Sequence, residues 1–162
     1  NKAFTLVELI VVIAILAIIS AILMLQIKPA SILQKGRDSK RTQDVDTMAK
    51  ALNLALAEGE VTLTANSSSC TSCTSSTGTQ AVDGSGYVKF VIPSGKTGLS
   101  KYIPTLPLDP TNTGSYVYKF GSTTSDFELN AVLEHTENSS LMSTDGGNSN
   151  AILEMGSSLT IL

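Results

Sequence analysis

Phe4-Thr5-Leu6-Val7-Glu8-Leu9 runs without a break into an apolar block, Leu9 to Leu25. The block is built of Ile, Leu, Val, Ala and Met, and only Ser20 interrupts it. Glu8 is the single carboxylate at its edge. A charged residue at the centre of a membrane helix costs about 2.5 to 3.5 kcal/mol on insertion scales, so a charge in such a run marks function by default. As a helix the block spans about 25 Å, and with Phe4 to Val7 it reaches past the roughly 30 Å hydrocarbon core of a bilayer. It is longer than the apolar region of an ordinary signal peptide, about 7 to 15 residues. It therefore reads as a membrane-spanning helix or as a helix buried on all sides in a protein assembly, and periodicity does not separate the two.

Working outward, the charges are unevenly placed. Lys28, Lys35, Arg37, Lys40 and Arg41 cluster just after the block, whereas beyond Ala57 ten acids face four lysines. A basic flank beside an apolar span suits the cytoplasmic side of a membrane segment or a basic belt in an assembly. The basic cluster is short and lacks interleaved aromatics, so no specific nucleic-acid site is expected. Cys70 and Cys73 are the only cysteines and His135 the only histidine. With no second pair, zinc is disfavoured, and a redox motif would want a helix start rather than this Ser/Thr-rich stretch. The pair reads first as a local disulfide in an extracellular loop, with free thiols as the alternative.

Three regions follow. Residues 1–28 form the terminal motif and apolar helix. Residues 29–59 read as the amphipathic half of the same helix, bent near Pro29. Val45, Met48, Ala49, Leu52 and Leu56 recur at spacings of three and four, and Arg37, Asp38, Lys40, Arg41, Asp44 and Lys50 take the polar face. Gly59 stands ready as the C-cap. Residues 60–162 form a globular head. Ala65 to Gly86 reads as a solvated connector that is a candidate for O-linked sugar, and Asn66 and Asn138 begin N-glycosylation sequons. Strands are expected at Tyr87–Ile92, Ser115–Phe120 and Asp126–Glu134. In the last, Phe127, Leu129, Ala131 and Leu133 point inward and Glu128, Asn130 and Glu134 outward. Gly121 to Ser125 is the expected turn, and residues 151–154 and 159–162 could complete the sheet. The fold class is α+β, a long N-terminal helix packed on a small antiparallel sheet.

The run from Phe4 to Leu9 with its apolar continuation resembles the class III signal of type IV pilins and of the pseudopilins of type II secretion. The resemblance implies that a prepilin peptidase cuts between Ala3 and Phe4, where the family usually has Gly before the cut, and that Phe4 is then N-methylated. It implies that Glu8 of one subunit pairs with the Phe4 amine of its neighbour, so that the apolar helices bundle in the centre of a filament. More weakly, Lys35 to Arg41 and Leu106-Pro107-Leu108-Asp109-Pro110 before Tyr116-Val117-Tyr118 resemble the compact pilins close to the major pseudopilin. In those proteins a C-terminal loop binds calcium, which makes Asp145, Asn148 and Asn150 calcium candidates here. No other cofactor is implied.

The expected function is that of a structural subunit of a bacterial type IV pilus. Its partners would be further copies of itself in a helical homopolymer, the prepilin peptidase and the pilus assembly machinery. It would reside in the cytoplasmic membrane as a precursor and then on the cell surface. A pseudopilin of a periplasmic secretion filament is the alternative, and a signal-anchored surface domain a remote one. No enzyme is expected: there is no G-x-S-x-G, no H-E-x-x-H and no phosphate loop.

Overall fold

A computed structural model describes residues 4–67 and 69–162, with side chains for all of these except 25–27. Helix α1 (Leu6–Ile27) begins on Thr5, whose extended backbone and side chain cap its first turn. It ends on Lys28, which is left-handed with φ 44° and ψ 72°. Pro29 then opens helix α2 (Pro29–Ala57). A proline suits the first helical position, where its missing N–H costs nothing, and it excludes the preceding residue from the helical region. The expected bend is thus a break one residue long, and Ser31 N–H restarts the ladder on the Lys28 carbonyl at 2.9 Å. At its other end α2 stops on a Schellman motif: Gly59, at φ +63°, donates to the Leu56 carbonyl and Glu60 N–H to that of Ala55.

The chain divides into two units, Asn1–Gln34 and Lys35–Leu162. In the second, α2 buries Val45, Met48, Leu52 and Ala55 in one core with Tyr87, Leu106, Tyr118, Phe120, Phe127 and Leu129. Strands β1 (Thr62–Leu63) and β2 (Phe90–Val91) form a short antiparallel pair. The main sheet has the order β3 (Lys119–Ser122), β4 (Phe127–Ala131), β5 (Leu153–Gly156), antiparallel throughout. A short helix, α3 (Ser139–Ser143), precedes β5.

Several expectations change. The strand expected at Tyr87–Ile92 shrinks to two residues because Tyr87 is tied elsewhere, its N–H to the Thr79 carbonyl and its hydroxyl to the Pro107 carbonyl. The strand expected from Ser115 starts only at Lys119, since Tyr118 N–H donates to Ser75 Oγ. Gly121 and Ser122 belong to that strand rather than to the turn. The Ser/Thr-rich stretch is largely exposed, as expected, but it is more than a connector. Asn66 and Ser122 exchange both backbone hydrogen bonds, and Phe120 N–H donates to the Cys73 carbonyl, so this stretch covers the free edge of β3. Glu128 and Asn130, expected outward, are buried, and residues 159–162 lie over them without forming a strand.

The largest correction concerns α2. Asp38, Arg41 and Asp44, assigned to its polar face, are buried. Arg41 grips both oxygens of Asp109, with Nε at 2.6 Å and Nη2 at 2.9 Å, while its Nη1 reaches Asp38 at 3.0 Å and Glu134 at 2.6 Å. Its guanidinium lies 4.9 Å from the centre of the Tyr116 ring. Asp38 accepts the backbone N–H groups of Glu134 and His135 and the amide of Asn138, each at 2.8 Å. Asp44 accepts the Tyr118 hydroxyl. One turn of helix therefore holds the Leu106–Pro110 connector and the segment after β4. Burial disfavours the Arg41 cation, but the Asp109 and Glu134 carboxylates more than offset it and raise its pKa.

Removing one member of a buried pair leaves an uncompensated charge, so Arg41→Ala should cost about 3 to 5 kcal/mol in urea unfolding of the detergent-solubilised chain. Lys50→Ala, which breaks an exposed pair with Asp46, should cost about 1 kcal/mol or less in the same assay. Acid should also loosen this network. Hydrogen bonding from Arg37, with help from Arg41, holds Glu134 at about 2, against an ordinary 4.5. A depressed carboxylate stabilises the fold above its unfolded pKa. That stability should be lost as pH falls from 4.5 through about 2, and Glu134→Gln should flatten this part of a thermal-unfolding pH profile.

Candidate functional site

Thr5 and Glu8 form a reciprocal cap at the start of α1. The Glu8 N–H donates to Thr5 Oγ1 at 3.3 Å, while Glu8 Oε2 accepts the Thr5 N–H at 2.8 Å and the Thr5 hydroxyl at 2.7 Å. The physical reason is local. The first turn of a helix has unpartnered N–H donors, and Thr followed three residues later by Glu satisfies two of them. A carboxylate there also complements the positive end of the helix dipole. All the described hydrogen bonds to the Glu8 carboxylate fall on Oε2.

From this cap α1 carries its apolar side chains outward on every face. Phe4 and residues 6–24 are exposed. Leu6–Met24 is the one helix among the described residues long and apolar enough to cross a membrane. No part of that window is buried within the chain. An apolar surface this large and continuous marks a site of interaction with lipid or protein.

The remaining candidate residues are dispersed. Ala3 lies outside the described residues. Cys70 and Cys73 are joined by a disulfide. Asp145 uses both oxygens locally, Oδ1 for Gly147 N–H and Oδ2 for Glu154 N–H, and Asn148 and Asn150 are exposed. No cluster of three or more His, Cys, Asp and Glu suited to a metal occurs among the described residues. His135 caps a short 3-10 turn through its ring, which accepts the Glu137 N–H. The two sequon asparagines also hold structure: the amide of Asn66 donates to the Thr64 carbonyl, and that of Asn138 to Asp38.

Comparison with protein families finds one match, at residues 1–24, to the prokaryotic N-terminal methylation motif. The chain carries a class III pilin-type signal. The match spans the cap, Phe4 and most of α1, and it supports a type IV pilin- or pseudopilin-like reading of that segment. It points to a structural protein rather than an enzyme, and to processing by a prepilin peptidase. No curated protein and no solved structure matches the chain significantly. The head is thus described by its own geometry, which gives an α+β layout consistent with a pilin-like fold.

The feature that the sequence reading missed is the Thr5 cap. Its signal lies in the motif itself, as Thr5-Leu6-Val7-Glu8 is a capping-box pattern. Thr5→Val keeps the branched shape and loses the hydroxyl. It should weaken the first turn by about 0.5 to 2 kcal/mol, which would be read as faster amide hydrogen exchange at Leu6 to Leu9 in detergent micelles, while Thr5→Ser should leave exchange near wild type.

Proposed function

We propose that the chain is a structural subunit of a bacterial type IV pilus that polymerises through α1 into a surface filament. The observation that carries this reading is a single carboxylate, capped by its own Thr5 on one oxygen, at the head of a helix whose apolar surface is exposed on all sides. Such a helix is stable only in lipid or among its own kind. In the membrane, the Thr5 cap reduces the cost of carrying Glu8. In the filament, neighbouring helices replace lipid, and Glu8 gains a cationic partner.

That partner follows from cleavage between Ala3 and Phe4, which leaves a free and then methylated amine on Phe4. Within one chain the Phe4 amine lies beyond the cap. In an assembly, Glu8 of an incoming subunit pairs with the Phe4 amine of the preceding one. Removing one partner of such a desolvated pair costs several kcal/mol, so a slip of one turn is penalised and the axial register is defined. Pro29 and the break at Lys28 let α1 adjust within the crowded filament centre. The precursor sits in the cytoplasmic membrane, and the assembled subunit on the cell surface. The reading requires no cofactor.

A pseudopilin of a type II secretion-like filament is the second reading. It rests on the sequence resemblance of Leu106-Pro107-Leu108-Asp109-Pro110 to the compact pilins close to the major pseudopilin. Filaments sheared from cells and imaged should separate the two: long surface filaments support the pilus, and their absence supports the periplasmic assembly. Intact mass of the subunit should show loss of residues 1–3 and gain of one methyl group. Glu8→Gln should leave the precursor in the membrane and abolish or sharply reduce filaments. Normal filament yield from Glu8→Gln would sink the pairing mechanism under either reading.

A further inference from the structure

The face of β3–β4–β5 opposite Phe127 and Leu129 carries three buried polar side chains, Glu128, Asn130 and Glu154. Register places Glu128 between Gly121 on β3 and Gly156 on β5. With no side chain on either neighbour, the row forms a trough, and residues 161 and 162 lie in it. A Cβ on Gly121 would come within 2.6 Å of Leu162 Cδ2 and 3.2 Å of Ile161 Cγ2. Glu128 Oε2 accepts the N–H groups of Ile161 at 2.6 Å and Leu162 at 3.1 Å. The start of this segment is fastened as well: the Phe127 carbonyl accepts the N–H groups of Ser157 and Ser158, and Phe127 N–H donates to Ser157 Oγ.

Glu154 is held in the same manner. Its Oε2 accepts Ser149 N–H at 2.9 Å, and Gly147 packs so closely that a Cβ there would lie 2.0 Å from that oxygen. Each carboxyl therefore has one oxygen satisfied and one not. Among the described residues, Glu128 Oε1 and Glu154 Oε1 are both buried without a donor, and so is Asn130 Oδ1, directly opposite Glu154. The cluster is short of hydrogen, not of oxygen. Buried acceptors left without donors are costly. Glu128 and Glu154 are diagonal neighbours on adjacent strands, a separation that long side chains span. One added proton turns two orphan oxygens into a donor and an acceptor, as happens when two carboxyls share a site.

We propose that Glu128 and Glu154 share one proton, carried by Glu154, and that this proton latches residues 157–162 across the outer face of the sheet. Burial, then the charge and hydrogen bond of Glu128 and the charge of Asp145, push the Glu154 carboxyl up, against the lowering effect of the Ser149 N–H. A raised carboxyl stabilises the fold below its unfolded pKa of 4.5, and that stability is lost as pH rises through the folded pKa. Above it, the proton leaves for water and two carboxylates share a dry site. The other charged groups facing the pair are Asp145, from the loop before β5, and exposed Lys119, opposite Asn130 on β3. Residues 157–162 carry no ionisable side chain.

The test is amide hydrogen exchange of the full chain in detergent from about pH 5 to about pH 8, corrected for intrinsic rates, with Leu129 as the core reference. Protection at Ile161 and Leu162 should be lost progressively as pH rises over this range in the wild type. It should stay flat in Glu154→Gln, whose amide donates permanently. An infrared band of a protonated carboxyl should persist above pH 4.5 in the wild type and be absent from Glu154→Gln. Flat protection in the wild type, an equal fall in both proteins or no such band would overturn the proposal.

Discussion

The head depends on a buried cation. Arg41 has no access to water, and its stability as a charge rests on Asp38, Asp109 and Glu134. Desolvating an ion of this size is expensive, and only good geometry with several hydrogen bonds compensates. The fold supplies both. Asp109 meets the guanidinium edge-on through two bonds, and the backbone N–H groups of Thr111 and Asn112 hold its Oδ1 in place. Asp38 is held by donors from the segment after β4. The network therefore requires three separate pieces of chain to be in position at once, and it rejects arrangements in which one is displaced. The apolar packing of α2 on β3 and β4 provides most of the driving force, and the charges specify which packing is allowed.

Glu8 presents the opposite case of the same physics. It too is a charge set against apolar surroundings, but the chain completes only part of its environment. Thr5 satisfies one oxygen, and the helix dipole favours the charge, yet nothing within the described residues supplies a countercharge. Arg41 closes its network within one chain, so its role is structural. Glu8 leaves its own open, which is why the chain is read as one part of an assembly. The Glu128–Glu154 pair lies between these cases: its donors come from the chain, except for one proton that solvent controls.

The methylation motif and the apolar block were legible in the sequence because they depend only on composition and local spacing. The helix stop at Gly59 was legible for the same reason. The faces of α2 were not. Val45, Met48, Leu52 and Ala55 continue upstream at spacings of three and four onto Arg41 and Asp38. That register was visible in the sequence, but charge outweighed position and sent those residues to the solvent side. Likewise Glu128 and Asn130 alternate with Phe127 and Leu129, a pattern that implies water on one side. The tail and the loop before β5 replaced that water, and residues so distant in sequence give no local sign of doing so.

What this sequence determines by itself is therefore the amino-terminal device, a capped carboxylate on a helix that cannot bury its own surface, together with an α+β head. Both follow from interactions within a few residues and from the cost of apolar surface in water. Only the tertiary structure decided which charges are buried, how the Ser/Thr-rich stretch closes the edge of β3, and that residues 157–162 cover the outer face of the sheet. Those outcomes depend on pairings across dozens of residues, such as Arg41 with Asp109 and Glu128 with Ile161. A buried charge is tolerated only where its partners converge, and convergence is a property of the folded chain.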